Sequence, residues 1–359
     1  MSKVDPDAAP GHTRRVRYRG RNPRTFHEKY KELNSERYAG EVAKVLASGK
    51  TPAGTHVPIM VDELLRSTRP AAGEVAVDCT LGGGGHARAL LERLQPGGRL
   101  IGLDLDPLEL PKTEARLRAA GYGPESLQVR RTNFAALRGV LAELEWHEGV
   151  DFVFADLGVS SMQIDDPARG FSIKLDAPLD MRMNPARGLS AAQWLERASA
   201  AELAEALAEN ADEPHAQRVA AALCARRGAL RTTHELCAAI RAGLPARVEE
   251  DEVERSIRRV FQAVRIEVND EFGVLETLLR ALPECLRAGG RAAILSFHSG
   301  EDRRVKKAFE AGLRAGAYAT LNGGVIRPGA DEVRANPRAS PAKLRWARRA
   351  GAGAPRAPA

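Results

Sequence analysis

The sequence predicts an α/β fold: a parallel sheet with helices on both faces, interrupted by a mostly helical insertion. Three observations carry this. Short apolar runs alternate with helical periodicities from about Val75 to Asp156. A glycine cluster, Gly82–Gly85, closes the first of those runs. The alternation then stops and a strand-like run returns at Arg291–Ser296. Strands alternating with helices specify a parallel sheet covered on both faces.

Each element follows from its local pattern. Val75–Asp78 is a short apolar strand, and a helix begins near His86, with clear periodicity over Arg88–Leu94 before Pro96-Gly97-Gly98 stops it. Leu100–Asp104 is the second strand, and Thr113–Ala120 a helix ended by Gly121. Leu127–Arg130 is the third strand, Phe134–Leu144 a helix and Asp151–Asp156 the fourth strand. Residues 165–190 read as one long loop, of a length found in functional or disordered segments. Helical periodicity follows over Ala191–Ala198, Ala200–Glu209, His215–Arg226, Thr233–Ala242 and Glu252–Glu267. Upstream, residues 1–50 are polar apart from a short helix at Glu41–Ala47, and Thr51–Gly54 reads as a linker. The expected organisation is a basic extension and linker (1–54), an α/β domain from 55–165 and 268–350, a helical insertion (166–267) and a disordered tail (351–359).

A chain of 359 residues, 43% hydrophobic, can bury a sizeable core and exceeds one comfortable core. Disordered and collagen-like readings are excluded, and no apolar run reaches membrane-spanning length. The first 20 residues lack the apolar stretch of a signal peptide, and Asp5 and Asp7 argue against a transit peptide. Cys79, Cys224, Cys237 and Cys285 have no metal-ligand spacing and read as free thiols of a cytoplasmic protein. The net charge of +7 is uneven: residues 1–24 and 331–359 each carry +5, leaving −3 for the body. Basic ends on a mildly acidic body favour a polyanion such as nucleic acid; the plain alternative is solvated tails in an arginine-rich composition.

The strongest local signal is Val77–Ala87, VDCTLGGGGHA. Glycines between a strand and a helix let the backbone turn tightly and approach a ligand closely. Asp104 follows Gly84 by 20 residues, at the end of the second strand, where a carboxylate can hold a ribose diol. This arrangement serves a dinucleotide or S-adenosylmethionine, and Gly82–Ala87 fits the dinucleotide template with alanine last. Two features favour S-adenosylmethionine. The fourth strand ends in a polar cluster, Asp156–Ser161, where amino-methyltransferases hold the group to be methylated; the third leads to Asn133-Phe134, where an adenine is flanked.

The same residues, with others, resemble the bacterial 16S ribosomal RNA cytosine-N4-methyltransferases of the RsmH (MraW) type. The likeness runs from about His56 to Arg349. It includes His56–Leu65, Asp78–His86, Asp104–Pro107, Asp156–Asp166, Arg169–Ser172, Pro178–Met183, Phe261–Ile266, Ser296–Ser299 with Glu301–Arg303, Asn336–Arg338 and Lys343–Arg345. The resemblance implies a Rossmann-like class I S-adenosylmethionine-dependent fold that methylates the exocyclic amine of a cytidine in small-subunit ribosomal RNA, free or within the 30S particle. Carried over by position, the cofactor contacts are Gly84, Gly85, His86, Asp104, Phe134, Asp156 and Gln163, and the helical insertion is the substrate-recognition part. Asp156, Ser160 and His298 are the catalytic candidates, with Ser161 beside them. Asp156 would hold an amine hydrogen or the amino-acid end of the cofactor, and His298 would take a proton after transfer.

The chain departs from the family at Gly300, at Arg255–Arg258 and at Asp212–His215, and its first 50 residues have no counterpart in the usual members. These departures bear on the target nucleotide, not on the cofactor. The alternatives are a paralog acting on another RNA site or another amine, a catalytically idle RNA-binding assembly factor, and, more distantly, a dehydrogenase. The intact glycine loop with Asp104 and Asp156 speaks against the idle factor. Arg169, Arg182, Arg187, Arg258, Arg259, Arg265, Arg303, Arg304, Lys306 and Lys307 are candidates for phosphate contact.

Overall fold

The computed structural model describes residues 58–351. The helix expected at Glu41–Ala47, the linker at Thr51–Gly54, His56 and most of the tail lie outside them. The first elements alternate as the apolar runs require: α1 (Val61–Thr68), β1 (Val75–Asp78), α2 (Gly85–Leu94), β2 (Arg99–Asp104), α3 (Leu110–Ala119), β3 (Leu127–Arg131), α4 (Leu137–Glu143) and β4 (Val150–Asp156). The strand residues alternate between faces. Ala76, Leu100, Phe152 and Phe154 pack with Leu64, Leu90 and Leu91 on one side. Val77, Ile101, Leu103 and Val153 pack with Leu137 and Val140 on the other. This is the two-residue repeat of a strand buried on both faces.

After β4 come a short α5 (Ser161–Asp165) and a 3-10 turn at Pro167–Arg169. The segment from Gly170 to Leu189 has no helix or regular strand, as expected. It is nevertheless tied down. Leu179 N–H donates to Arg231 O and Thr233 N–H to Ala177 O, both at 2.9 Å, and Leu179 and Met181 are buried. Then follow α6 (Ala191–Arg197), α7 (Ala200–Ala211), α8 (Ala216–Ala225), α9 (Thr233–Gly243) and α10 (Glu250–Asn269). Ser190, Ser199 and Thr232 start three of these helices through reciprocal capping boxes with Gln193, Glu202 and Glu235. Their apolar faces share a core separate from the two beside the sheet, built on Leu203, Leu207, Leu236, Ile240, Val260 and Val264.

The return to the sheet differs from the expectation. A helix, α11 (Glu271–Cys285), precedes a long β5 (Leu286–Ser296), and α12 (Ser299–Arg314), β6 (Tyr318–Leu321), α13 (Ala330–Ala335) and β7 (Lys343–Arg349) complete the chain. Gly273 and Pro283 obscure the periodicity of α11, although Leu275, Leu278 and Leu282 sit in the core. The sheet is mixed, in the order β3-β2-β1-β4-β5-β7-β6, with β7 antiparallel to both neighbours. The parallel arrangement expected from the alternation holds over β3-β2-β1-β4-β5, and β7 is the antiparallel addition. Lys343–Arg349 carries four basic residues and reads as a charge run, yet only Leu344 and Ala347 need face inward. Among the described residues, the basic stretch 338–349 is consequently no free arm. Lys343 and Arg345 bond Asp302, Arg338 bonds Asp165, and Arg349 bonds Leu286 O.

One buried cation fastens α1 to β5. Arg291 is 8% exposed; it grips both oxygens of Glu74 at 2.7 Å and donates to the carbonyls of Thr68 and Arg69 that end α1. Removing one partner of such a pair strands the other in a dry site. Arg291→Ala should lower the unfolding free energy by about 2–4 kcal/mol, discounted because Glu74 keeps some water. An unchanged urea midpoint would show that this clamp is idle.

Candidate active site

In an open sheet of parallel strands, ligands bind beyond the carboxyl ends where the strand order reverses. That place lies between β1 and β4. Three adjacent strands end there on aspartates: Asp78 on β1, Asp104 on β2 and Asp156 on β4. The turn after β1 is tied to both neighbours, with Cys79 N–H donating to Phe154 O at 2.8 Å and Leu81 N–H to Leu103 O at 2.9 Å. Gly84 caps α2 with φ 78°, and a Cβ there would stand 2.8 Å from Thr113 Cγ2. At Gly85 a Cβ would stand 2.9 Å from Pro58. The first position needs glycine for its backbone and for space, the second for space alone.

The carboxylates stand on neighbouring strands, Asp78 buried and Asp104 and Asp156 half-buried, and their partners differ. Asp104 accepts Gly82 N–H on Oδ2 at 2.7 Å and Asp106 N–H on Oδ1 at 2.8 Å. Burial outweighs these bonds and raises its pKa. Asp78 accepts Thr80 N–H on Oδ1 at 3.0 Å, while Oδ2 is buried without a hydrogen-bond partner among the described residues. Burial, with Asp104 adding repulsion, lifts the Asp78 pKa to about 7. Asp156 has the same unpaired character at Oδ1. Burial first, then the charges of Asp78 and Glu301, push its pKa well above the carboxylate range.

His86 is the neighbour of Asp156, with Nδ1 3.5 Å from Oδ2. Its Nε2 lies 2.9 Å from Ile59 O. A carbonyl only accepts, so Nε2 carries the ring proton and Nδ1 turns its lone pair to the carboxyl.

The remaining expected residues sit on the same edge in other roles. Phe134 follows β3, half-buried against the core, in a turn capped by Asn133. Ser160 caps α5, its Oγ accepting from Gln163 N–H at 3.2 Å. Gln163 returns a bond to Ser160 N–H and gives its amide hydrogen to Asp106 Oδ2 at 2.8 Å. His298 caps α12, with Nδ1 accepting Glu301 N–H at 3.4 Å and Nε2 3.2 Å from Glu301 Oε1. Glu301 is 2% exposed; although burial would raise its pKa, His298, Phe297 N–H and Arg265 together hold it low. Ligand atoms of Glu271, His298 and Glu301 lie within 4.8 Å of one another, close enough to hold a cation. Arg265 opposes one, because it already binds both oxygens of Glu271.

Several phosphate candidates are engaged elsewhere. Arg169 is 7% exposed and bonded to Asp106 at 2.9 Å, which removes it from any surface role. Arg265 is locked on Glu271, Arg182 on Asp180, Arg258 on Glu254, Arg259 on Glu252, Arg303 on Asp212, Arg304 on Glu276 and Lys306 on Glu310. Asp78, Asp106 and Glu301 stand at this edge without having been singled out in the sequence, and Arg169, expected at phosphate, is instead part of the frame. Asp78 and Asp106 lie inside the motifs that named Asp104; the strand-end position was the available signal.

Residues 53–350 match the MraW methylase family. The chain belongs to that family. It is 46% identical over 344 residues to "Ribosomal RNA small subunit methyltransferase H 1" of Lachnoclostridium phytofermentans, covering 94% of this chain and 93% of that one. It is 47% identical to the protein of the same name from Agathobacter rectalis, covering 94% and 98%. It is 43% identical to "Ribosomal RNA small subunit methyltransferase H" of Rubrobacter xylanophilus, over 82% of this chain and 96% of that one. An alignment over 94% of the chain cannot fit within 53–350, so the first two relatives share much of the N-terminal segment. The expectation that this segment lacks counterparts is corrected for them.

The fold is the Rossmann-like class I fold of S-adenosylmethionine-dependent methyltransferases, and S-adenosylmethionine is the cofactor. The residues fit it. Asp104 keeps lone pairs beyond its two backbone bonds, and the buried Oδ1 of Asp156 calls for a donor.

The Asp78 carboxyl makes a test. An acid whose pKa folding has raised from 3.8 to about 7 supports the fold below its unfolded pKa, and that support is lost as pH rises through about 7. Without cofactor, Asp78→Asn should therefore be more stable than the parent at pH 8, by on the order of a few kcal/mol, with the gap narrowing toward pH 5. A gap independent of pH, read by thermal unfolding, would reject the assignment.

Proposed function

We propose that this chain transfers a methyl group from S-adenosylmethionine to the exocyclic N4 amine of a cytidine in small-subunit ribosomal RNA, in the cytoplasm. The observation that carries the reading is Asp156: a half-buried carboxyl at the end of β4, with one oxygen beside His86 and the other unpaired, next to the glycine loop. A cytosine amine is a weak nucleophile because its lone pair is drawn into the ring, so the protein's task is placement. Asp156 Oδ1 would accept an amine hydrogen and turn the nitrogen lone pair toward the methyl. In its ionised form the same oxygen would receive the proton that nitrogen must lose after transfer. Burial and the charges of Asp78 and Glu301 disfavour that ionised form, so a ligand bearing positive charge is what would restore it. S-adenosylmethionine, when bound, supplies a methyl activated on a sulfonium sulfur. The backbone of Gly84 and Gly85 would hold its amino-acid end, Asp104 its ribose and Phe134 its adenine. Gln163 supports this site through Asp106. Ser160 and His298 anchor the two helices that border it.

The helical insertion, 166–267, is our candidate for RNA recognition. Support comes from its own core and from its departure at the carboxyl edge of β4, where Asp156 ends the strand. A base must leave its stack to reach such an edge, which RNA loops allow most readily. Either naked ribosomal RNA or the 30S particle would present it.

A second reading, a paralog with another RNA target, is favoured by one observation. The relatives that share the N-terminal segment carry numbered names, H 1 or H 2, whereas those aligned over 81–82% are named H alone. Two departures also meet in space: Asp212 bonds Ser299 Oγ at 3.1 Å, beside Gly300, whose Cβ would strike Phe272 Cζ at 2.7 Å.

Asp104→Ala should abolish S-adenosylmethionine binding in calorimetry; unchanged affinity would sink the site assignment. Deleting the gene should remove an N4-methylcytidine from small-subunit RNA, read by mass spectrometry of digested RNA. Retention of every cytidine methylation would reject the ribosomal reading, and loss of a methyl group from another RNA would favour the paralog.

A further inference from the structure

The buried pair of Arg169 and Asp106 has no part in the chemistry described above, yet it is among the most completely bonded charge pairs in the fold. Arg169 follows α5, is 7% exposed, and its partner Asp106 is 2% exposed. The guanidinium acts as a three-way fork. Nη1 donates to Asp106 Oδ2 at 2.9 Å, and Nη2 donates to the carbonyls of Arg182 and Met183 at 3.1 and 2.8 Å. Asp106 is itself fixed: Gln163 Nε2 donates to Oδ2 at 2.8 Å, and Leu108 N–H to Oδ1 at 2.9 Å. An arginine meant for phosphate keeps its head in water. One buried with both terminal nitrogens bonded inside the protein holds backbone in place.

The fork lies in a longer series of hydrogen bonds. Gly82 N–H of the glycine loop donates to Asp104, Asp106 N–H donates to Asp104, and Asp106 holds Arg169. Beyond Arg169, Met183 N–H donates to Asn269 Oδ1 at 2.7 Å. Asn269 Nδ2 donates to Met181 O and to Arg265 O, at 2.8 and 2.9 Å, at the end of α10. The carboxylate expected to hold the cofactor ribose is thus joined, without a gap, to the segment that leads into the insertion and to its longest helix. A ribose bound at Asp104 shares lone pairs with two backbone N–H groups, and one of those belongs to Asp106.

We infer that Arg169 is a positioning residue that couples cofactor occupancy at Asp104 to the shape of residues 181–183, and so to RNA binding by the insertion. The inference rests on the proposed RNA methyltransferase reading. Coupling of this kind is reciprocal: RNA tightens S-adenosylmethionine by the factor by which S-adenosylmethionine tightens RNA.

The test is calorimetric titration of S-adenosylmethionine into the full chain, with and without a small-subunit ribosomal RNA transcript. The parent should bind cofactor about tenfold tighter with RNA present. Arg169→Lys keeps a cation beside Asp106, but an ammonium lacks the planar fork that spans both carbonyls. It should bind cofactor alone within about twofold of the parent, lose the RNA-dependent gain, and raise the KM for RNA several-fold at nearly constant kcat. Coupling retained in the lysine variant overturns the inference, as does an equal loss of cofactor and RNA affinity, which marks plain scaffolding. Should that variant fail to fold, Asn269→Ala breaks the series one link further on and must also lose the coupling; retained coupling there overturns the inference equally. A parent that methylates RNA without coupling sinks only this inference, whereas a parent that neither binds nor methylates RNA sinks the proposed function itself.

Discussion

Everything at this site depends on three carboxyls held side by side at the carboxyl edge of a parallel sheet. Asp78, Asp104 and Asp156 end adjacent strands, so the strand spacing itself forces like charges together. Burial raises the pKa of each. The fold answers with donors fixed in the backbone. Gly82 and Asp106 serve Asp104, Thr80 serves Asp78, and His86 stands against Asp156. Two oxygens are left over, Asp78 Oδ2 and Asp156 Oδ1. Unpaired buried acceptors destabilise a fold unless something arrives to satisfy them. That need is what makes this edge a site for a ligand bearing donors and positive charge.

The same pairing of charge explains the rest of the molecule. The chain holds 54 basic and 47 acidic side chains, and most of the arginines expected to meet phosphate are paired internally. Exposed pairs of this sort contribute little stability, and phosphate can compete for their cations. Buried ones differ. Arg169 with Asp106 and Arg291 with Glu74 cannot turn to a ligand, because the partner would be stranded. Burial therefore separates arginines that are available to RNA from those that are part of the frame. The basic C-terminal stretch illustrates the point: its charges are held by Asp302, Asp165 and backbone carbonyls, and β7 sits within the sheet.

Much was legible in the sequence. The alternation from Val75 to Asp156, the glycine loop, the acid at the end of β2 and the helical insertion are local patterns, with helix starts written as capping boxes. Boundaries moved by a few residues, as with Thr113–Ala120, found at Leu110–Ala119. What was not legible depends on distant partners. β7 hides as a charge run until β5 and β6 are there to flank it. Ser160 and His298, the catalytic candidates, each also cap a helix, and such a bond is invisible until the helix start is known.

The sequence by itself determined the type of most elements up to the end of the helical insertion and the family to which the chain belongs, because apolar period, glycine placement and motif spacing act over a few residues. Only the tertiary structure decided which charges face one another. Asp106 meets Arg169 across 63 positions and Arg291 meets Glu74 across 217. No local pattern encodes such pairs, since they form only where the folded backbone closes water out and leaves a buried charge no other partner.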